Sequence, residues 1–156
     1  MKLIALIMVS LLFLGCITPP KSGLVPSDLE IKYSYGACHA EWGRTTITID
    51  ADGNGIYQSG SGMMLDNGRF ENEGFRKTFT LNESEILELL DKIESSGFYS
   101  LDEHYSDPMV MDGSCKSIFI TKNNFTKSVS VVNTNAPEAY STVADAIIGI
   151  VESKTN

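Results

Sequence analysis

Along residues 30–35 apolar and polar positions alternate, with Ile31, Tyr33 and Tyr35 in one phase and Glu30, Lys32 and Ser34 in the other. A period of two places these sets on opposite faces of a strand. The segment 44–50 repeats the pattern with β-branched residues, a strand-forming composition. A turn rich in Asp, Asn and Gly follows at 50–55, and residues 56–61 return as a third strand. Asp66-Asn67-Gly68 predicts another hairpin, with a fourth strand through Phe75, Lys77 and Phe79.

The period then changes. Asn82-Glu83-Ser84-Glu85 forms a capping box, in which Asn82 accepts from the backbone of Glu85 and the Glu85 carboxylate reaches back. Ile86, Leu87, Leu89, Leu90 and Ile93 follow at helical spacing, and Gly97 supplies the stop. Phe98 and Tyr99 are expected to pack under the helix end. Residues 100–114 carry no period, include Pro108, and read as a long loop. Two more strands, 117–121 and 126–132, flank a Lys122-Asn123-Asn124 turn. Pro137 opens a last helix, in whose first turn its missing N–H costs nothing, and Tyr140, Val143, Ala144, Ile147 and Val151 form its apolar stripe. The order ββββ-α-ββ-α predicts an α+β domain: an antiparallel sheet of about six strands with two helices on one face.

Before this domain the pattern is different. Lys2 precedes a 12-residue apolar run, Leu3 to Leu14, broken only by Ser10. That is the layout of an export signal, and at about 18 Å as a helix it is short for a bilayer core of about 30 Å. Phe13-Leu14-Gly15-Cys16 resembles the lipobox of prokaryotic lipoproteins, with Phe13 where Leu is usual. The resemblance implies that residues 1–15 are cleaved and that Cys16 carries lipid as the first mature residue. Acyl chains contribute about 0.8 kcal/mol per buried CH₂, so two or more hold a protein on a membrane without a spanning helix. Residues 16–27 hold three prolines, a glycine and two serines, a semi-extended linker. The remainder, 28–156, fits one domain. The expected location is the extracytoplasmic face of a cell membrane, with the chain a monomer.

Loss of residues 1–15 takes Lys2 and no acid, leaving 11 Lys and Arg against 20 Asp and Glu, a formal charge of −9. Such a chain repels phosphate backbones and anionic headgroups, so no nucleic-acid partner is expected. With Cys16 assigned to lipid, Cys38 and Cys115 remain as an even pair in an oxidising compartment and read as a disulfide. Two free thiols, or a metal or redox site using Cys38, His39, His104 and Cys115, are the alternatives; the spacing matches no zinc pattern and no Cys-x-x-Cys is present.

The order of Gly36-Ala37-Cys38, the hairpin Ile-x-Ile-Asp-x-Asp-Gly-x-Gly-x-Tyr at 47–57, Phe-Thr-Leu-x-x-x-Glu at 79–85, Gly-Phe-Tyr-Ser-Leu at 97–101 and Asp112-Gly113 before a strand pair resembles a known family. It is a family of small exported prokaryotic domains of unknown function, and the likeness spans roughly residues 29–152. It implies the fold and the export, and no activity. Members often carry a second cysteine and a proline soon after the first cysteine; here those places fall at 39–43 with neither, which argues against a local two-cysteine site.

Other constellations are weaker. Asp50-x-Asp52-x-Asn54-Gly55 matches the first half of a calcium loop, but Ser61 stands where a bidentate Glu belongs and the flanks are strands. A hairpin turn needs the same residues for local hydrogen bonds and positive φ. No Gly-x-Ser-x-Gly elbow, His-Glu-x-x-His helix or phosphate loop is present, and no cofactor is expected. Trp42, the single tryptophan, reads as packing near the disulfide or as a ligand platform. Asn82 and Asn124 head N-glycosylation patterns. The leading reading is a non-catalytic binding module, with His39, Glu41, Trp42, His104, Asp107 and Asp112 as the contact surface that a Cys38–Cys115 bond would pin together. A small envelope enzyme with an acid–base site in the 102–115 loop is the further alternative.

Overall fold

The computed structural model describes residues 23–110 and 113–155. The export signal, Cys16, linker residues 16–22 and Asp112 lie outside the described residues. Strand β1 (Glu30–Ala37) leads through a short 3-10 turn (Ala40–Trp42) into β2 (Arg44–Asp50). Strands β3 (Asn54–Met64) and β4 (Phe70–Thr80) form a long hairpin, and helix α1 (Glu83–Ser95) follows. A second 3-10 turn (Phe98–Ser100) precedes β5 (His104–Ser106), β6 (Ser114–Lys122), β7 (Phe125–Val132) and helix α2 (Glu138–Thr155).

The sheet has seven strands in the order β4-β3-β2-β1-β6-β7-β5. Six strands were expected; the seventh is β5, inside the stretch read as a loop. It pairs parallel to β7, so the sheet is mixed rather than wholly antiparallel. Three residues are too few to display a period, which is why the alternation did not reveal it. The Ser130 N–H donates to the Glu103 carbonyl (2.9 Å) and the Asp107 N–H to the Val132 carbonyl (3.1 Å), extending this pairing beyond the strand ends.

One face of the sheet carries the apolar phase. Ile31 and Tyr33, Ile47 and Ile49, Ile118 and Ile120, and Val129 and Val131 are all buried there, in one cluster with the stripes of both helices. The stripes are Ile86, Leu89, Leu90 and Ile93 on α1 and Tyr140, Val143, Ala144, Ile147 and Val151 on α2, so both helices cover the same face. At α1 the capping box is complete: Asn82 Oδ1 accepts from the Glu85 N–H (3.0 Å) and Glu85 Oε2 from the Asn82 N–H (2.9 Å). Gly97 follows the helix in the left-handed region at φ 82, and Phe98 is fully buried beneath the helix end. Burial pushes the Tyr33 phenol up to about 12, helped by Tyr35 and Asp145, and raises Tyr140 as well. Both phenols stay neutral in the core.

The two ends of the sheet differ. At one end lie the start of β1, the β2–β3 turn and the β6–β7 turn. There Asn123 and Asn124 both have positive φ (50 and 60), and their N–H groups donate to the two carboxylate oxygens of Asp28 at 2.7 and 2.6 Å. At the other end lie the 38–43 bend, the β3–β4 tip and the Cys38–Cys115 disulfide, which spans 77 positions with Cα atoms 4.8 Å apart. This disulfide links the exit of β1 to the entry of β6, strands already paired at Gly36 and Cys115.

Candidate functional site

The polar phase of every strand falls on the face that no helix covers. Strand register makes it continuous. Arg76 pairs with Gln58, Gln58 with Thr46, Thr46 with Ser34, Ser34 with Ser117, Ser117 with Ser130 and Ser130 with His104. Directly paired residues share a face, so these seven side chains form one polar row across all seven strands. The next row on the same face runs through Ile56, Thr48, Lys32, Phe119 and Ser128.

The long β3–β4 hairpin turns this flat face into a hollow. The ladder shifts register between Ser59 and Gly60 and again between Ser61 and Met64, and such irregularities bend a hairpin. Gly60 permits the first: a Cβ there would lie 2.5 Å from Phe70 Cβ and 2.6 Å from the Asn72 carbonyl oxygen. The tip therefore folds back over the open face. Gln58 Nε2 donates to the Gly68 carbonyl at the tip (2.9 Å), and Arg76 Nη1 donates to Gln58 Oε1 and more distantly to Gly68 (3.4 Å). Gln58 is only 3% exposed because the tip sits on it.

The hollow measures about 630 Å³, within the range of small-molecule sites. Its lining includes Lys32, Arg44 and Arg76 and no acidic residue, although the chain has 20 Asp and Glu against 12 Lys and Arg. Lys32 is held by Glu30 (2.7 Å) and lies over the Phe119 ring, 5.4 Å from its centroid. Among the described residues Arg76 donates to neutral partners, Gln58 and the Gly68 carbonyl, and interacts with Glu73 through charge. Arg44 has no ion pair or hydrogen bond from its side chain among the described residues. Thr46 sits between these cations, and its Oγ1 is buried without a hydrogen-bond partner. Ile56, Met64 and Phe119 supply the apolar part of the wall.

The residues singled out from sequence fall partly here and partly elsewhere. His104 stands at the β5 end of the polar row, exposed, with Nδ1 2.8 Å from Ser130 Oγ. His39 and Trp42 come together at the 38–43 bend, ring centroids 5.1 Å apart. Trp42 is 64% exposed, outside the core, on the 3-10 turn at 40–42. Glu41 is exposed beside it. Asp107 starts the loop after β5, where its Oδ1 accepts from the Met109 N–H (2.9 Å). Row by row, Gly36, Cys115, Val132 and Ser106 share one level of the sheet, so the bend and this loop lie at the same end. Cys38 and Cys115 are consumed by the disulfide and offer no thiolate to a metal.

The Asp50 carboxylate is occupied by its own turn. Oδ1 accepts from the Asp52 and Asn54 N–H groups at 3.0 and 2.8 Å, and Oδ2 from the Asn54 side chain at 3.2 Å. Among the described residues no group of three His, Cys, Asp or Glu is placed to hold a metal ion, and no helix is long and apolar enough to cross a membrane.

Sequence reasoning missed Arg44, Thr46, Gln58 and Arg76 as a group. Each was visible as a polar position in a strand, but only the strand order and the folded-back tip gather them. No curated protein matches the chain. The order of motifs implied a family of unknown function, and a family model agrees: over residues 29–151 the chain belongs to the family described as Domain of unknown function (DUF6438).

Proposed function

We propose that the chain is a non-catalytic binding module, anchored by lipid on Cys16 at the extracytoplasmic face of a membrane and acting as a monomer. The observation that carries the binding role is the uncovered face of the sheet. Its long hairpin is strapped over it by Gln58 and Arg76, leaving a polar hollow with fixed donors. The charged residues lining that hollow are the cations Lys32, Arg44 and Arg76, a composition suited to holding an anion. The lipobox-like Cys16, the proline-rich linker and the disulfide support an oxidising, membrane-surface setting. The 38–43 bend and the loop after β5, with His39, Glu41, Trp42 and Asp107, form the rim at the disulfide end.

Intact mass spectrometry of protein extracted from membranes tests the setting. Diacyl or triacyl mass on a chain beginning at Cys16, with 2 Da lost to the disulfide, is expected; Cys16→Ser should release the chain from the membrane fraction. A cytoplasmic chain with residues 1–15 retained and free thiols would overturn it.

A further inference from the structure

We infer that the hollow on the open face is an anion site for a small organic ligand bearing a carboxylate or phosphate on a flat apolar body. This rests on the open face being the binding surface and goes further by naming the chemistry. Three cations and no acid line the hollow in a chain whose acids outnumber its bases. The cations surround Thr46. Arg44 is two residues earlier on the same strand, roughly 7 Å away along it. Arg76 lies two strands to one side through Gln58, roughly 10 Å across. Lys32 lies one strand to the other side, level with Thr48.

Arg44 is half-buried and makes no ion pair among the described residues, and Arg76 donates to neutral oxygens while Glu73 is its acidic neighbour through charge alone. A guanidinium binds a carboxylate or a phosphate through paired N–H donors, so Arg44 supplies the anchor and Arg76 the second charge. Thr46 Oγ1 lies buried without a partner at the centre of this triangle. Thr46 lines the hollow, and rotation about its Cα–Cβ bond would offer this hydroxyl to an anionic oxygen, relieving the cost of a buried hydroxyl left unmade. Phe119 and Ile56, in the adjoining row, offer a flat apolar surface for the ligand body. The bound Lys32 cation already shows that the Phe119 ring faces this side.

The other hollows do not compete. One of about 310 Å³ between α1 and α2 presents Glu85, Glu88 and Asp145 with Lys92, a mixed-charge groove without a buried polar group awaiting a partner.

The test is calorimetric titration of the full-length chain in non-ionic detergent. The probes are phenyl phosphate, 3-phenylpropionate, inorganic phosphate, the neutral 3-phenylpropanamide and an acidic hexaglutamate peptide. Saturable binding of one aryl anion per chain, weakened by salt and absent with the amide, is expected. The phosphate and the carboxylate arms identify which head group is preferred. Arg44→Gln should weaken the anion roughly ten- to hundredfold without lowering the melting temperature, and Arg44→Lys should retain part of the affinity. Thr46→Val should weaken the anion as well while leaving the free protein at least as stable, an opposition that a purely structural residue would not show. Equal binding of the amide, indifference to Arg44→Gln, or no binding of either aryl anion at millimolar concentration would overturn the site. Binding of hexaglutamate in place of the small anions would also overturn it and assign the face to an acidic protein segment. A chain that lacked lipid on Cys16 yet bound phenyl phosphate would keep this site and remove only the tether.

Discussion

Gln58 on β3 and Gly68 at the tip of the same hairpin are ten positions apart, yet the Gln58 amide donates to the Gly68 carbonyl at 2.9 Å. The tip is therefore not an arm in solvent but the roof of one side of the hollow. Replacing Gln58 with Ala leaves the Gly68 carbonyl and the Arg76 guanidinium short of a partner and opens a space under the tip. A loss of about 2–3 kcal/mol is expected in urea unfolding. Amide hydrogen exchange should accelerate over residues 62–72 more than elsewhere, and uniform acceleration would contradict the strap.

The unpartnered hydroxyl of Thr46 gives the opposite sign. Thr46→Val keeps the shape and removes a buried polar atom with no hydrogen bond. The free protein should be unchanged or stabilised by up to about 1 kcal/mol, read as a higher urea midpoint at constant slope. Clear destabilisation would mean that the hydroxyl has a partner in solution.

The disulfide closes 77 positions of chain. In the loop-entropy treatment this corresponds to about 4–5 kcal/mol, and a Cys38→Ala, Cys115→Ala double variant should melt well below the oxidised protein. Dithiothreitol should lower the melting temperature of the parent and leave that of the double variant alone. An equal response of both proteins would place the reagent's effect elsewhere.

Acid sensitivity has a local source at Asp28. The Asn124 N–H and, after it, the Asn123 N–H hold its carboxyl below the usual range against some desolvation. A carboxyl depressed by folding stabilises the fold fully above its unfolded pKa and loses that contribution as pH falls through the folded value. The stability gap between the parent and Asp28→Asn should therefore be widest near neutral pH and close below about pH 4. Urea midpoints of both proteins across pH 2–7 measure it; a gap independent of pH would remove Asp28 from the acid response.

Much of this architecture could be read from local chemistry. The capping box at Asn82 and Glu85, the apolar stripes of both helices and the Asn-rich turn at 123–124 are decided by neighbours within one or two turns of chain, so pattern reveals them. Strand β5 was missed because three residues at a parallel edge leave no period. The hollow was missed for another reason. Alternation marked Lys32, Ser34 and Thr46 as polar positions, but not that β6 inserts beside β1 or that the β3–β4 tip doubles back. Those are long-range facts, and they alone bring Arg44, Thr46 and Arg76 together. His104 was noticed among acidic loop residues; its place at the end of the Ser130 row depends on the same unseen pairing.

The opposed ends of the sheet give the molecule a direction. The chain enters at Asp28 beside the β6–β7 turn, whereas the disulfide, Trp42 and the β3–β4 tip stand at the far end, one full strand away. A tether at Cys16, as proposed, would pull on Asp28 and load β1 along its length, in shear against β2 and β6 on either side, with the Cys38–Cys115 link stopping β1 from sliding past β6. If the chain is tethered through Cys16 as proposed, the same polarity sets the exposed Trp42 at the end of the domain far from the anchor.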